Sequence, residues 1–233
     1  MMTPGASPGS SSFYRRPWVA LLLAVAGSFI AALVVAGWRG VAAEPWVARA
    51  LDIVVLLSPL VAAAVLAITL AASRGFFRRV VLGWRWTDAV LGLAAGLIMR
   101  AIIELVAPTS GTLVGGFGVV SVAAIVVFAI GAVLITPVVE ELFFRGVVLA
   151  ALLDLCASLG RVMAAVVGIA VSTAAFVALH VSPLGGNVAW STVLVPLLVG
   201  VGCGILFALT RRLAAGVVAH VVFNAIGVAL LVW

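Results

Sequence analysis

"PVVEELFFRG", Pro137–Gly146, decides how often this chain crosses a membrane, and with that its fold. The chain has seven acidic residues, and two of them, Glu140 and Glu141, stand side by side in one of its most apolar regions. A charge at the centre of a spanning helix costs about 2.5–3.5 kcal/mol, so the pair costs roughly 5–7 kcal/mol if both stay charged and unpaired. Spacing separates the two. Residues four apart share a helix face, so Glu141 and Arg145 are placed to form an ion pair. Glu140 lies about 100° round the helix from Glu141 and is free to face a cavity. The plainer alternative is that both acids only satisfy Arg145 or lie at the membrane surface.

The surroundings make this a membrane question. The 233 residues are 66% apolar and 9% charged, with a mean hydropathy of +1.42, whereas a soluble chain is nearer half apolar and a quarter charged. The expected fold is all-α, a polytopic transmembrane helical bundle with an intramembrane polar cavity. Apolar runs of bilayer length, roughly 20 residues each, fall at 17–37 and near 47–72, 88–107, 118–136, 138–156, 161–181, 190–210 and 213–232. That makes about eight segments. The first follows Arg15 and Arg16 as a signal peptide would, but it exceeds the roughly 7–15 residues of a signal core and is read as a helix that stays in place. Residues 1–16, rich in Ser, Gly and Pro, read as a disordered tail. Residues 17–233 form one transmembrane domain, with no internal repeat.

Arginine placement tests the segment count. The net charge of +6 comes from 13 arginines and no lysine, mostly at the ends of apolar runs, where orientation signals belong. A phosphate-binding groove needs them clustered on a soluble surface, so nucleic acid is not an expected partner. If all eight segments cross with the N-terminus inside, Arg15, Arg16, Arg74, Arg78, Arg79 and Arg85 lie inside, against Arg39, Arg49, Arg161, Arg211 and Arg212 outside. If 138–156 makes no separate crossing, Arg161, Arg211 and Arg212 move inside and only Arg39 and Arg49 stay out. Positive-inside bias favours the second arrangement, with Pro137 expected to bend or break the chain there. The stretch "ASRGFFRRVVLGWRW", Ala72–Trp86, reads as an interfacial segment on the cytoplasmic side. Arg100 and Glu104, four apart, read as a second, structural pair. Two isolated cysteines, Cys156 and Cys203, suggest packing rather than a disulfide or metal framework. The all-arginine, Ala/Val/Gly-rich usage points to a bacterial plasma membrane, crossed several times.

The chain's two histidines also lie in apolar helices: His180 closes "FVALH" and His220 opens "HVVFN". Phe176 shares a helix face with His180, and Asn224 with His220. Ionisable groups at membrane depth are functional candidates by default. Glu140 and His180 could hold and deprotonate a water, while His220 and Asn224 could donate to the oxyanion of a tetrahedral intermediate. This set fits amide hydrolysis of a peptide or membrane-protein substrate. No cofactor is needed for it, although Glu140, His180 and His220 could instead bind zinc. There is no HExxH, no GxSG and no GxGD. A proton-coupled carrier using the same groups is a further alternative, as is a non-catalytic immunity or scaffold protein.

In order and spacing these three motifs resemble the CPBP family of type II CAAX prenyl proteases and bacteriocin-processing or immunity (Abi) proteins, with its EExxxR, FxxxH and HxxxN/D pattern. Here they stand as Glu140–Arg145, Phe176–His180 and His220–Asn224. The resemblance covers about 118–233. It implies a membrane-embedded endopeptidase in which Glu140 and His180 activate water and His220 with Asn224 forms the oxyanion hole. It also implies that Glu141, Arg145 and Phe176 support the site.

Overall fold

The computed structural model describes residues 12–109, 121–182 and 188–232. Among them, seven helices are long and apolar enough to cross a membrane. These are α1 (Pro17–Gly37), α2 (Pro45–Ala71), α3 (Trp86–Val106), α4 (Val122–Leu155), α5 (Arg161–Val181), α6 (Trp190–Thr210) and α7 (Ala214–Val232).

Side-chain sizes are sorted as lipid demands. Alanines and a glycine face inward on α1 (Ala20, Ala24, Gly27, Ala31), and Ala63, Ala64, Ala67 and Ala71 face inward on α2. Large apolar groups such as Leu22, Val25, Phe29, Leu66 and Leu70 point out. Lipid tails are as apolar as leucine, so helices gain by close approach through small residues instead of by hiding large ones. The sequence "GLAAG", Gly92–Gly96, does the same for α3 and α7: a Cβ on Gly96 would stand 2.6 Å from the Ala219 carbonyl oxygen. Gly96→Leu is therefore expected to push α7 away, costing about 1–3 kcal/mol and lowering any activity that depends on His220. Unfolding and peptide cleavage measured on one preparation check both effects.

The two segments expected at 118–136 and 138–156 are one helix of 34 residues, about 50 Å at 1.5 Å per residue. That exceeds a hydrocarbon core of about 30 Å, so α4 must tilt or protrude. This corrects the count from eight segments to seven, and Pro137 does not break the helix. Instead the helix widens to i→i+5 hydrogen bonding over Gly131–Ile135 and again over Glu141–Leu149. The helix thus continues through Pro137, whose missing N–H leaves one upstream carbonyl without its usual donor. Helix α4 is also the hub, packing on α1, α2, α5, α6 and α7. Its stretch Phe143–Ala151 is buried along its whole length.

The arginine-rich ends meet on one side. The Arg15 N–H donates to the Ala71 carbonyl (2.8 Å), and the Leu213 N–H to that of Val80 (3.0 Å). Arg212 grips Asp88 with two bonds of 2.8 and 2.7 Å, which raises the guanidinium above its ordinary range. Seven crossings put Arg15, Arg16, Arg74, Arg78, Arg79, Arg85, Arg161, Arg211 and Arg212 at this end, as positive-inside bias requires. The stretch 72–86 supplies Phe76 and Val80 to the core and leaves Phe77, Leu82, Trp84 and Trp86 exposed, as an interfacial segment would.

Of the tail expected over residues 1–16, residues 1–11 lie outside the described ones, and of the last five Phe13 and Tyr14 are buried. The Tyr14 hydroxyl donates to the Gly146 carbonyl (2.8 Å), and its N–H to Asp154 Oδ2 (2.7 Å). Phe13 stacks on Phe207. Aromatic side chains give this segment the apolar area that Ser, Gly and Pro lack, which is why the tail reading fails here.

Candidate active site

Three helices converge. From α4 come Glu140, Glu141 and Arg145, from α5 Phe176 and His180, and from α7 His220 and Asn224. Glu140, His180, His220 and Asn224 line one cavity of about 290 Å³, walled by Phe176, Phe223, Val195, Pro196 and Val199. Glu140 is 6% exposed and His220 4%, while His180 near the end of α5 is open to the outside of the bundle.

Glu141 and Arg145 lie behind this cavity, fully enclosed. Arg145 Nη1 is 3.0 Å from Glu141 Oε1, and Nη2 donates to the carbonyls of Val199 (3.0 Å) and Gly200 (3.2 Å) on α6. Its guanidinium lies 4.9 Å from the centre of the Phe176 ring. Phe176 in turn touches Phe144 edge-on and packs on His180, with ring centres 4.3 Å apart. The pair anticipated from spacing is present, and it does one thing that spacing did not suggest: Glu141 Oε1 also accepts from His220 Nδ1 at 3.0 Å.

These contacts fix the imidazoles. The His180 Nδ1 atom is 2.8 Å from the Phe176 carbonyl oxygen. A carbonyl only accepts, so Nδ1 carries the proton, and in the neutral ring Nε2 is a lone pair. That lone pair faces Glu140 Oε1 at 3.6 Å. His220 likewise donates from Nδ1, and its Nε2 faces Glu140 Oε2 at 3.7 Å. Both gaps are too wide for hydrogen bonds. Glu140 thus sits between two imidazole nitrogens without closing on either.

Asn224 is explained by Pro137. A helical carbonyl at Ala132 is normally served by residue 136 or, in a widened turn, by 137. The Thr136 N–H goes to Gly131, and Pro137 has none. The Asn224 amide donates to the Ala132 carbonyl at 2.8 Å instead, tying α7 to α4 and leaving its second amide hydrogen unspent. Pro137 signals in the sequence that an upstream carbonyl lacks its usual donor, but not which side chain serves it.

Sequence reasoning also missed the cavity walls on α6 and the position of Cys203, which is buried against Glu141 and His220. Among the described residues, the acid, thiol and imidazole atoms that gather within 4.8 Å belong to Glu141, Cys203 and His220. Arg145 already supplies the countercharge to Glu141, which repels a cation there. Arg100 pairs with Glu104, which also accepts from Thr109, and lies over Phe223. This set braces α3 against α7 outside the cavity.

Comparison with curated proteins and with solved structures gave no match. A family model does match: residues 121–226, the segment holding all three motifs, fit the type II CAAX prenyl endopeptidase Rce1-like family. Seven apolar helices make the chain a multi-pass membrane protein, and over residues 121–226 it is similar to the Rce1-like family of membrane endopeptidases.

Proposed function

We propose that the cavity hydrolyses a peptide bond with a water held between Glu140 and His180. The observation that carries this reading is the pair of inward acceptors, Glu140 Oε1 and His180 Nε2, 3.6 Å apart with no donor of their own to share. One water donating to both fits that gap. Glu140 takes one of its protons as the oxygen attacks the substrate carbonyl, then returns it to the leaving amine, so the carboxylate is regenerated. The free Asn224 amide hydrogen donates to the oxyanion, and His220, whose Nδ1–H rests on Glu141, joins it from Nε2 in the doubly protonated form of the ring. Charge that develops in a cavity poor in water is stabilised more by such fixed donors than it would be in solvent.

A second reading is supported by the same anchoring. Histidines that ligate zinc commonly hold their other nitrogen on a carbonyl or carboxylate, as His180 and His220 do. The substrate is a peptide or a membrane protein in either case. We take the membrane to be a bacterial plasma membrane, where CAAX processing is a family label and prenylated tails are not expected. Peptide cleavage by the purified protein, read by mass spectrometry, tests the proposal. Cleavage is expected to survive a zinc chelator and to vanish in His180→Ala. Activity lost on chelation and restored by zinc would move the chemistry to the metal, and full activity in His180→Ala would end the water-holding role.

A further inference from the structure

The arginines at the positive end do more than fill loops. Arg79 and Arg85 from the 72–86 stretch, and Arg211 and Arg212 from the α6–α7 turn, converge on one cleft of about 520 Å³ floored by Phe13, Phe76 and Val80. An orientation signal needs positive charge near a helix end. It does not need separate segments to aim charge into a shared concavity.

The charges in the cleft are unequally partnered. Arg212 is neutralised by Asp88. Among the described residues, no carboxylate lies within ion-pair distance of Arg79, Arg85 or Arg211. Arg211 stands on the cleft wall with φ +59°, the only positive value among the described non-glycine residues, a conformation that a side chain of this size resists. Its guanidinium lies 3.8 Å from the centre of the Phe13 ring, and burial pushes it below its ordinary range. Asp154, which borders the neighbouring cavity with Arg211, is taken up by the Tyr14 N–H and the Ser12 hydroxyl. Asp154 offsets part of the Arg211 charge from that side without reaching ion-pair distance, and the remaining excess of cation faces an open space.

The rim says which anion. Trp84 lines the cleft and is 59% exposed, with Phe77, Leu82 and Trp86 exposed beside it. Such a belt sits at the headgroup level of a bilayer, where the anions at hand are lipid phosphates. We infer that this cleft binds the phosphate of an anionic phospholipid, with Arg79, Arg85 and Arg211 on the headgroup and the Trp84 rim against the acyl chains.

Thermal unfolding of the full chain in detergent tests this against added phosphatidylglycerol, phosphatidylcholine of the same chains, or inorganic phosphate. Phosphatidylglycerol is expected to raise the midpoint and the other two to leave it unchanged. R79Q/R211G should lose the rise; glycine at 211 keeps the positive φ without strain. R74Q/R78Q removes equal charge from the same stretch outside the cleft and should keep the rise. Native mass spectrometry of bound lipid gives the same comparison for any variant too unstable to melt cleanly. An equal rise with phosphatidylcholine, a rise retained in R79Q/R211G, or an equal loss in R74Q/R78Q would overturn the site. A rise with inorganic phosphate of the same size would overturn its assignment to lipid.

Discussion

Glu140→Gln is expected to lower peptide cleavage by about 10²–10⁴-fold, the usual contribution of a positioned general base, while leaving the fold in place. The expectation of an intact fold rests on geometry. Glu140 faces His180 Nε2 and His220 Nε2 at 3.6 and 3.7 Å and forms no hydrogen bond with either. Glutamine keeps the size of the side chain and removes its basicity. The same unfolding midpoint with turnover near zero is the expected pair of measurements. Wild-type turnover in Glu140→Gln would remove Glu140 from the reaction and with it the reading of the cavity. Glu140→Ala makes a weaker test, because it also opens a void beside His220.

Arg145→Ala is expected to do the opposite, destroying stability before chemistry can be asked about. It would strand Glu141, fully buried, and free two α6 carbonyls at once. Breaking one partner of a buried ion pair costs about 3–5 kcal/mol, a large share of the roughly 5–15 kcal/mol that holds a domain together. The double replacement Glu141→Leu with Arg145→Met removes both charges and should recover much of that loss. It should not recover activity, because His220 Nδ1 loses the carboxylate that orients it. Denaturant unfolding and cleavage on the three proteins separate the effects. If the double variant cleaves as wild type does, Glu141 serves folding alone.

Much of this was legible because acids and histidines are rare in an apolar chain, and each has to be accounted for. Helical spacing paired Glu141 with Arg145, and the arginine distribution alone argued that 138–156 makes no separate crossing. Three things were not legible. Widened turns have no residue pattern of their own, so Pro137 read as a break when α4 runs through it. Contacts between distant helices, such as His220 on Glu141 and Asn224 on Ala132, depend on helix placement, which periodicity does not specify. The Tyr14 anchor was hidden for a related reason: two aromatic residues fix the end of a segment whose average composition says otherwise.

The bond from Asn224 to Ala132 has a consequence for the newly made chain. Glu140 and His180 enter the membrane early, on α4 and α5, whereas His220 and Asn224 arrive on α7, the last of the described helices. Until α7 docks, the Ala132 carbonyl is short of a partner and the cavity lacks both of its donors. In the proposed reaction a half-inserted chain would hold water but have nothing to stabilise a tetrahedral adduct. On the proposed reaction, the order of synthesis would act as a safety catch, keeping the centre silent beside other unfinished proteins until its own assembly is complete.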